Sequence, residues 1–212
     1  MILWKGCNMN ITECRFCQIN HGHFSAPYDQ PIKKSRGYFS LASVGAFMPG
    51  WSLIVPEVHT YSMRNEYVKP EFLAFANDWI DHVKKVYKKK VIVFEHGANH
   101  CGSQTSCGTN HAHLHVVPYD GSLLAKMQKD RGWITVRYDR IYETVGENEY
   151  LLYAELDDCL ENAVFYVHIL EFEESQYFRK LLGEEAGIED YSYKTTPFYR
   201  ETLENYNALK VK

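Results

Sequence analysis

The chain has 212 residues, of which 45% are hydrophobic and 24% are charged, which is the composition of a globular protein with one sizeable core. Its formal net charge of −4 provides no overall basic field to favour nucleic acid or an anionic membrane as a partner. No apolar run approaches the roughly 20 residues of a membrane span, and no signal peptide is evident, so we expect a soluble, cytoplasmic protein.

The first third of the chain predicts a pair of neighbouring strands. Residues 1–34 are polar and rich in turn residues, which indicates irregular structure. Strand composition follows over 37–43 and 51–56, and Pro49-Gly50 between them is a turn signal.

A long helix is predicted next, because apolar residues recur at the helical period from Pro70 to about Lys90. Pro70 suits the first turn, and the lysines at 88–90 suit the carboxyl end. A buried strand over 91–96, a loop rich in Gly, Ser and Asn, and a strand over 111–117 follow. The order of these elements predicts an α+β fold in which an antiparallel sheet carries a helix on one face.

Beyond residue 120 the pattern predicts three further strands and two further helices, over 133–138, 149–156, 163–170, 175–188 and 198–209. We therefore divide the chain into a core of residues 1–120 and a C-terminal α+β extension of residues 121–212. We expect the extension to pack on the core or to supply a homodimer contact.

Three histidines alternate with aliphatic residues in the segment TNHAHLHVVPYD, residues 109–120. Successive strand side chains point to opposite faces, so His111, His113 and His115 share one face. The Cα atoms of successive histidines in this triad are then ~7 Å apart, so two of these histidines could hold one metal but all three could not easily do so. The spacing favours separate roles for the three histidines over the alternative that they are ordinary surface residues on an exposed sheet face.

Cys14 and Cys17 form a C-x-x-C pair near the start of the chain. In a chain of this length without an export signal, such a pair indicates metal or redox chemistry rather than a disulfide frame. Metal is favoured, because the chain has 10 histidines and no thioredoxin-like order of elements surrounds the pair.

The segment HAHLHVVP resembles the His-φ-His-φ-His-φ-φ signature of the histidine-triad superfamily, whose hydrolases and transferases act on nucleotides at the α-phosphate. The segments CRFCQI and MPGWSLIVPEVH, and the helix over 70–90, resemble the corresponding parts of that family in the same order. The resemblance covers roughly residues 10–120. It implies a histidine-triad-like fold and a nucleotide hydrolase or nucleotidyl transferase acting on a dinucleoside polyphosphate or nucleotide conjugate.

The resemblance also implies roles for the two catalytic histidines. His113 would attack the α-phosphorus to give a covalent nucleotidyl-histidine intermediate. His115 would contact the phosphate or the leaving group.

Some members of that family contain a structural zinc site. The resemblance implies that its ligands in this chain are Cys14, Cys17, His59 and His111. Two thiolates and two imidazoles complete a tetrahedral Zn²⁺ site without an open position. A rival local site would use His21 or His23 in place of a distant ligand.

Several positions depart from the family pattern and bear on substrate binding. Trp51 replaces a histidine and could stack on a base, and Ser43 occupies the position that holds the ribose. The loop before the histidine strand is longer than usual, and Asn99, Gln104 or Ser106 could donate to the phosphate.

Two other groups of polar residues have more than one possible role. The long loop could hold a second metal, but the favoured interpretation is that its thiols and imidazoles share no function. The ligands of such a site would be His96, His100, Cys101 and Cys107. Gln176 and Arg179 could reach an anionic substrate from the extension, although an ordinary solvated helix face is the favoured interpretation.

Two alternative functions remain. One is a nucleotide-binding protein that turns over little or nothing. The other is a mononuclear metal-dependent hydrolase or oxygenase that uses His111 and His113 together, although only Asp120 offers an acidic ligand soon after the pair.

Overall fold

The computed structural model describes residues 14–107 and 109–210. The strands are β1 (Lys33–Ser35), β2 (Tyr38–Ala42), β3 (Ser52–Pro56), β4 (Val91–Gly97), β5 (Leu114–Pro118), β6 (Ile134–Val136), β7 (Tyr150–Leu156) and β8 (Phe165–Ile169). The helices are α1 (Arg15–Asn20), α2 (Pro70–Tyr87), α3 (Leu124–Asp130), α4 (Ile141–Val145), α5 (Tyr177–Ala186) and α6 (Tyr199–Leu209). The strands form one sheet in the order β1-β2-β3-β5-β4-β7-β8-β6, and every neighbouring pair is antiparallel.

The predicted fold class, an antiparallel α+β arrangement with a central helix, is confirmed. The helix α2 begins at Pro70 as predicted and ends at Tyr87, where Lys88 takes the left-handed conformation with φ 54°. Strands β2 and β3 pair antiparallel, with Leu41 opposite Leu53. The predicted irregular segment is only partly irregular, because it contains α1, β1 and a short 3-10 turn, and its first 13 residues lie outside the described part.

The histidine strand is shorter than predicted, because β5 begins at Leu114. The backbone before it leaves the sheet, and the Ala112 N–H donates to the carbonyl of Thr60 at 2.7 Å. The predicted alternation of faces nevertheless holds. Ala112, Leu114 and Val116 belong to the core cluster that packs against α2.

The two faces of the sheet carry different helices. The α2 face buries Phe72, Trp79 and Val83 of the helix against the sheet. On the opposite face, Phe94 and the α5 residue Phe178 share a second cluster, while α1 packs in a third. His115 also lies on this opposite face, in contact with Phe94. No helix of the described residues is long and apolar enough to cross a membrane.

The sheet continues across residue 120, since β7 pairs with all seven residues of β4, from Val91 opposite Leu156 to Gly97 opposite Tyr150. The short helices α3 and α4 were not predicted. The division of the chain at residue 120 stays a prediction.

A buried carboxylate lies where β4 meets β7. Glu95 is 1% exposed and accepts hydrogen bonds from the Met63 backbone N–H at 2.6 Å and from the Tyr67 and Tyr150 hydroxyls at 2.8 Å each. Burial raises the pKa of Glu95 to about 7, against the opposing effect of these hydrogen bonds.

Because the pKa of Glu95 is higher in the folded state than in the unfolded state, the protonated form favours folding. This contribution is fully present below about pH 4.3 and is lost as the pH rises through about 7, by up to roughly 3 kcal/mol. We expect Glu95→Gln to flatten the decline in unfolding free energy between pH 5.5 and 8, measured by urea denaturation. The exposed Glu189→Gln variant is the control, and equal pH dependence in all three proteins would contradict this prediction.

Candidate functional site

Four cysteine and histidine side chains meet beneath α1. One ligand atom from each of Cys14, Cys17, His59 and His111 lies within 4.8 Å of every other. The Cys14 sulfur is 3.3 Å from His111 Nδ1, and the Cys17 sulfur is 3.3 Å from His59 Nδ1. These are the four residues that the resemblance implies as metal ligands, and they could hold a metal.

The rival ligands lie elsewhere. His21 and His23 are both exposed. His21 Nδ1 lies 2.7 Å from the carbonyl of Cys17 and so donates to it.

The hydrogen bonding of His111 suits metal binding. Its Nε2 lies 2.9 Å from the carbonyl of Pro56, which can only accept, so Nε2 carries the proton of the neutral ring. The lone pair of Nδ1 therefore faces the sulfurs of Cys14 and Cys17, at 3.3 and 3.6 Å. Sulfur and imidazole donors in this number fit a tetrahedral, closed metal site.

A cavity of about 450 Å³ opens next to this cluster, on the sheet face opposite α2. Its wall combines α1, the ends of β2 and β4, the histidine strand, α5 and the start of α6. The lining residues are Arg15, Phe16, Ser25, Ala26, Tyr28, Asp29, Ser43, Val44, Leu53, Phe94, His96, Cys107, Thr109, His113, His115, Gln176, Arg179, Tyr193 and Tyr199. The volume falls within the range of small-molecule sites.

His113 lines this cavity, and one of its two ring nitrogens is engaged in a hydrogen bond. Its Nδ1 lies 2.9 Å from the carbonyl of His111 and must donate to it, so the lone pair of the neutral ring is on Nε2. Burial lowers the pKa of His113 to about 4, which keeps the ring neutral near pH 7. Phe16 of α1 packs edge-on against the ring, with centroids 5.5 Å apart.

His115 has the opposite tautomer. The indole Nε1 of Trp51 is a donor only, and it donates to His115 Nδ1 at 2.9 Å. The proton of neutral His115 is therefore on Nε2. Burial lowers the pKa of His115 well below its usual value, and the ring stacks on Phe94 with centroids 4.4 Å apart.

We expect this tautomer to depend on the indole of Trp51. In ¹⁵N-edited spectra of wild type, the Nδ1 of His115 should give the signal of an unprotonated nitrogen, and Trp51→Phe should shift it towards a tautomer mixture. Trp133→Phe removes an indole that donates to the carbonyl of Met127 and should leave His115 unchanged. A protonated Nδ1 in wild type would contradict the assignment.

The stacking role suggested for Trp51 does not fit its position, because the side chain is fully buried. Its neighbours are His115 and the guanidinium of Arg179, whose Cζ lies 4.4 Å from the ring centroid. Arg179 itself is only 5% exposed, so the favoured interpretation of a solvated helix face is wrong for this residue. The difference arises because α5 packs on the sheet with this side chain turned towards the cavity.

Of the substrate residues suggested by the sequence, Ser43 lines the cavity. The three suggested phosphate donors of the long loop do not. Asn99 donates to the carbonyl of Glu147 and Ser106 to that of Ser103, while Gln104 is exposed. From the same loop, Cys107 and Thr109 reach the cavity instead.

The residues suggested as ligands of a second metal in the long loop do not form one cluster among the residues that the structure describes. His96 points towards the cavity wall, and neither of its ring nitrogens has a hydrogen-bond partner within the described chain. Burial lowers the pKa of His96 to about 3. His100 instead contacts the carboxylates of Glu149 and Glu173, at 3.4 and 3.3 Å.

Sequence reasoning missed several cavity residues. Arg15 follows Cys14, and Tyr28 stacks on Tyr199 of α6, with centroids 6.2 Å apart and an interplanar angle of 11°. The sequence gives no local signal for this pair, because 171 positions separate the two rings.

No family model matches the chain, and no curated protein is similar enough to match. Solved structures do match. One is a Hit-like protein involved in cell-cycle regulation from Bartonella henselae, with an unknown ligand, at 18% identity and a TM-score of 0.40, over 54% of this chain and 80% of that one. Another is a hypothetical histidine triad nucleotide-binding protein from Sulfolobus tokodaii, at 17% identity and a TM-score of 0.37, over 51% and 71%. Likeness at these TM-scores supports no inference about the chemistry of this chain.

Proposed function

We propose that this chain is a histidine-triad-type nucleotide hydrolase or nucleotidyl transferase. His113 attacks the α-phosphorus of a dinucleoside polyphosphate or a similar nucleotide conjugate. The observation that carries the proposal is the free Nε2 lone pair of His113, which the Nδ1 hydrogen bond to the His111 carbonyl fixes within a cavity of nucleotide size.

The reaction has two displacements. In the first, His113 Nε2 forms a bond to the α-phosphorus while the bond from phosphorus to the leaving group breaks. In the second, water or another acceptor attacks the phosphorus, the P–N bond breaks, and His113 is regenerated. The nucleotide bound to Nε2 is a covalent intermediate.

His115 stabilises charge on the phosphate in this scheme. Its Nε2–H donates a hydrogen bond to a phosphate oxygen, and the Trp51 indole keeps the proton on that nitrogen. The neutral His115 ring carries a single proton, on the nitrogen that donates to the phosphate, and so has no second proton to give to a leaving group. Leaving groups that depart as anions, such as a nucleoside phosphate, therefore suit the site better than amines do.

The proposed metal is a structural zinc held by Cys14, Cys17, His59 and His111. These four residues would hold the ion without an open position, and the bound ion would cross-link α1 to the segment that carries His111. Because the carbonyl of His111 orients His113, a fixed His111 also fixes the nucleophile.

The alternative metal enzyme that uses His111 and His113 together has less support. The lone pair of His111 faces the two sulfurs, and His113 belongs to neither of the metal-type clusters among the described residues. A nucleotide-binding protein without turnover is the remaining alternative, and only activity measurements separate it from the enzyme.

The proposal is tested by following hydrolysis of dinucleoside polyphosphates in H₂¹⁸O. Attack at the α-phosphorus followed by hydrolysis of the intermediate places one ¹⁸O in the nucleoside monophosphate and none in the other product. Label in the longer product would place the attack at another phosphorus and contradict the proposal. Tight binding of every nucleotide tested without any turnover would favour the binding protein.

A further inference from the structure

We propose that Arg179 is the cationic ligand of the substrate phosphate, contributed by α5 from the C-terminal half of the chain. This inference rests on the proposed function for the kind of ligand, but its test does not depend on turnover.

Arg179 is a buried cation that has no acidic partner among the residues the structure describes. Its side chain is surrounded by aromatic rings, with Cζ 4.4 Å from the ring centroid of Trp51, 5.7 Å from that of Tyr193 and 5.8 Å from that of Phe47. It donates to the carbonyls of Val44 and Gly45. Within the described residues, no carboxylate oxygen lies within the 4.0 Å of an ion pair.

The titratable groups that face Arg179 are neutral near pH 7. Burial raises the pKa values of the Cys107 thiol and the Tyr193 phenol, and it lowers those of the His96 and His115 imidazoles. Two backbone carbonyls offset part of the charge but supply no counter-ion. A buried charge without a partner is costly, so an anion that enters the cavity gains more here than at a solvated arginine.

Arg131 shows how a structural arginine is arranged in the same region. Its guanidinium also stacks on an aromatic ring, with Cζ 4.3 Å from the centroid of Tyr177. Arg131, however, forms two hydrogen bonds to the Glu174 carboxylate and a third to Asp130. Arg15 at the other side of the cavity likewise pairs with Asp29. Arg179 is thus the cation of the described cavity wall that lacks a carboxylate.

Arg179 lies where a phosphate bound at His113 and His115 would need a positive charge. It lines the same cavity as His113 and His115, and it contacts the Trp51 indole that holds His115. Neutral imidazoles give a phosphate hydrogen bonds or an attacking lone pair, but no positive charge. A guanidinium adds that charge and a donor fork that fits phosphate oxygens.

The test titrates inorganic phosphate, at constant ionic strength, into wild type, Arg179→Met, Arg179→Lys and the matched control Arg131→Met. Binding is followed by the Trp51 indole N–H signal, assigned with Trp51→Phe, and by the rise in melting temperature that binding to the folded state produces. We expect saturable shifts in wild type and Arg131→Met, at least tenfold weaker binding in Arg179→Met, and intermediate binding in Arg179→Lys.

Adenosine and AMP give a second comparison. Arg179→Met should remove most of the affinity that the phosphate adds to AMP over adenosine, while adenosine binding stays unchanged. If Arg179→Met does not fold, the comparison of Arg179→Lys with wild type decides, because the lysine keeps the charge but loses the fork.

Unchanged phosphate affinity in Arg179→Met, or no phosphate binding by wild type, would overturn the assignment of Arg179. In the first case a nucleotidyl adduct on His113 could still form, and the proposed function would stand. Conversely, phosphate binding that depends on Arg179 without any adduct or turnover would keep this inference and remove the enzymatic proposal.

Discussion

We expect replacement of His113 by alanine to lower the rate of nucleotide turnover by on the order of 10³-fold or more, while the nucleotide dissociation constant should change by less than about tenfold. The reason is that in the proposed reaction Nε2 of His113 forms the bond to phosphorus, whereas much of the cavity wall comes from other elements. Steady-state kinetics and equilibrium binding on the same protein separate the two effects.

His168→Ala is the matched control for this variant. Like His113, His168 donates from Nδ1 to a backbone carbonyl, that of Gly132 at 2.8 Å, but it lies outside the cavity. Its replacement should leave the turnover rate within about twofold of wild type. Turnover by His113→Ala at a rate close to wild type would remove His113 from the reaction.

The second large effect concerns the metal cluster. We expect one zinc per chain in the purified protein, and Cys17→Ser should abolish stoichiometric binding and lower the melting temperature by 10 °C or more, on the order of several kcal/mol. The remaining Cys14 thiol and the two imidazoles would then lose the ion proposed to hold them together, and α1 would lose its link to His111. Metal analysis and thermal unfolding are the measurements.

Cys159→Ser provides the control, because Cys159 is a free cysteine outside both the cluster and the cavity. It should retain one zinc and the wild-type melting temperature. A wild-type protein purified without chelators that contains no metal, or a Cys17→Ser variant that keeps a full equivalent, would contradict the structural zinc.

The sequence predicts those parts of the fold that local patterns encode. Helix α2 has a long amphipathic stripe and a proline in its first turn, and its predicted start is correct. The alternation around β5 puts Leu114 in the core and His115 on the opposite face, as the period of a strand requires. Helices α3 and α4 have only 7 and 5 residues, which is too short for a helical period to be evident.

The surroundings of the site depend on distant contacts that no local pattern carries. Arg179 donates to the carbonyls of Val44 and Gly45, about 135 positions earlier, and that contact turns a helix-surface arginine into a buried one. Gly45 permits the close packing of Tyr193 beside this contact, because a Cβ on it would lie 2.3 Å from the Cβ of Tyr193. The same packing buries Trp51, which the sequence alone presents as an aromatic surface for a base.

The phosphate donors suggested in the long loop illustrate a second limit. Asn99 and Ser106 have the right chemistry, yet each donates to a backbone carbonyl of its surroundings. Whether a polar side chain in a loop is available to a ligand depends on how the loop folds, which composition does not determine.

Rapid-quench intact-mass spectrometry is the most direct test of the central claim, that His113 becomes nucleotidylated. Wild type and a His115→Ala variant, in which slower turnover should raise the steady-state level of the intermediate, are mixed with a dinucleoside polyphosphate and quenched within one turnover. We predict an added mass of one nucleoside monophosphate, located by peptide mapping on His113 and absent from His113→Ala. Turnover without any adduct, or an adduct that persists in His113→Ala, would contradict the account.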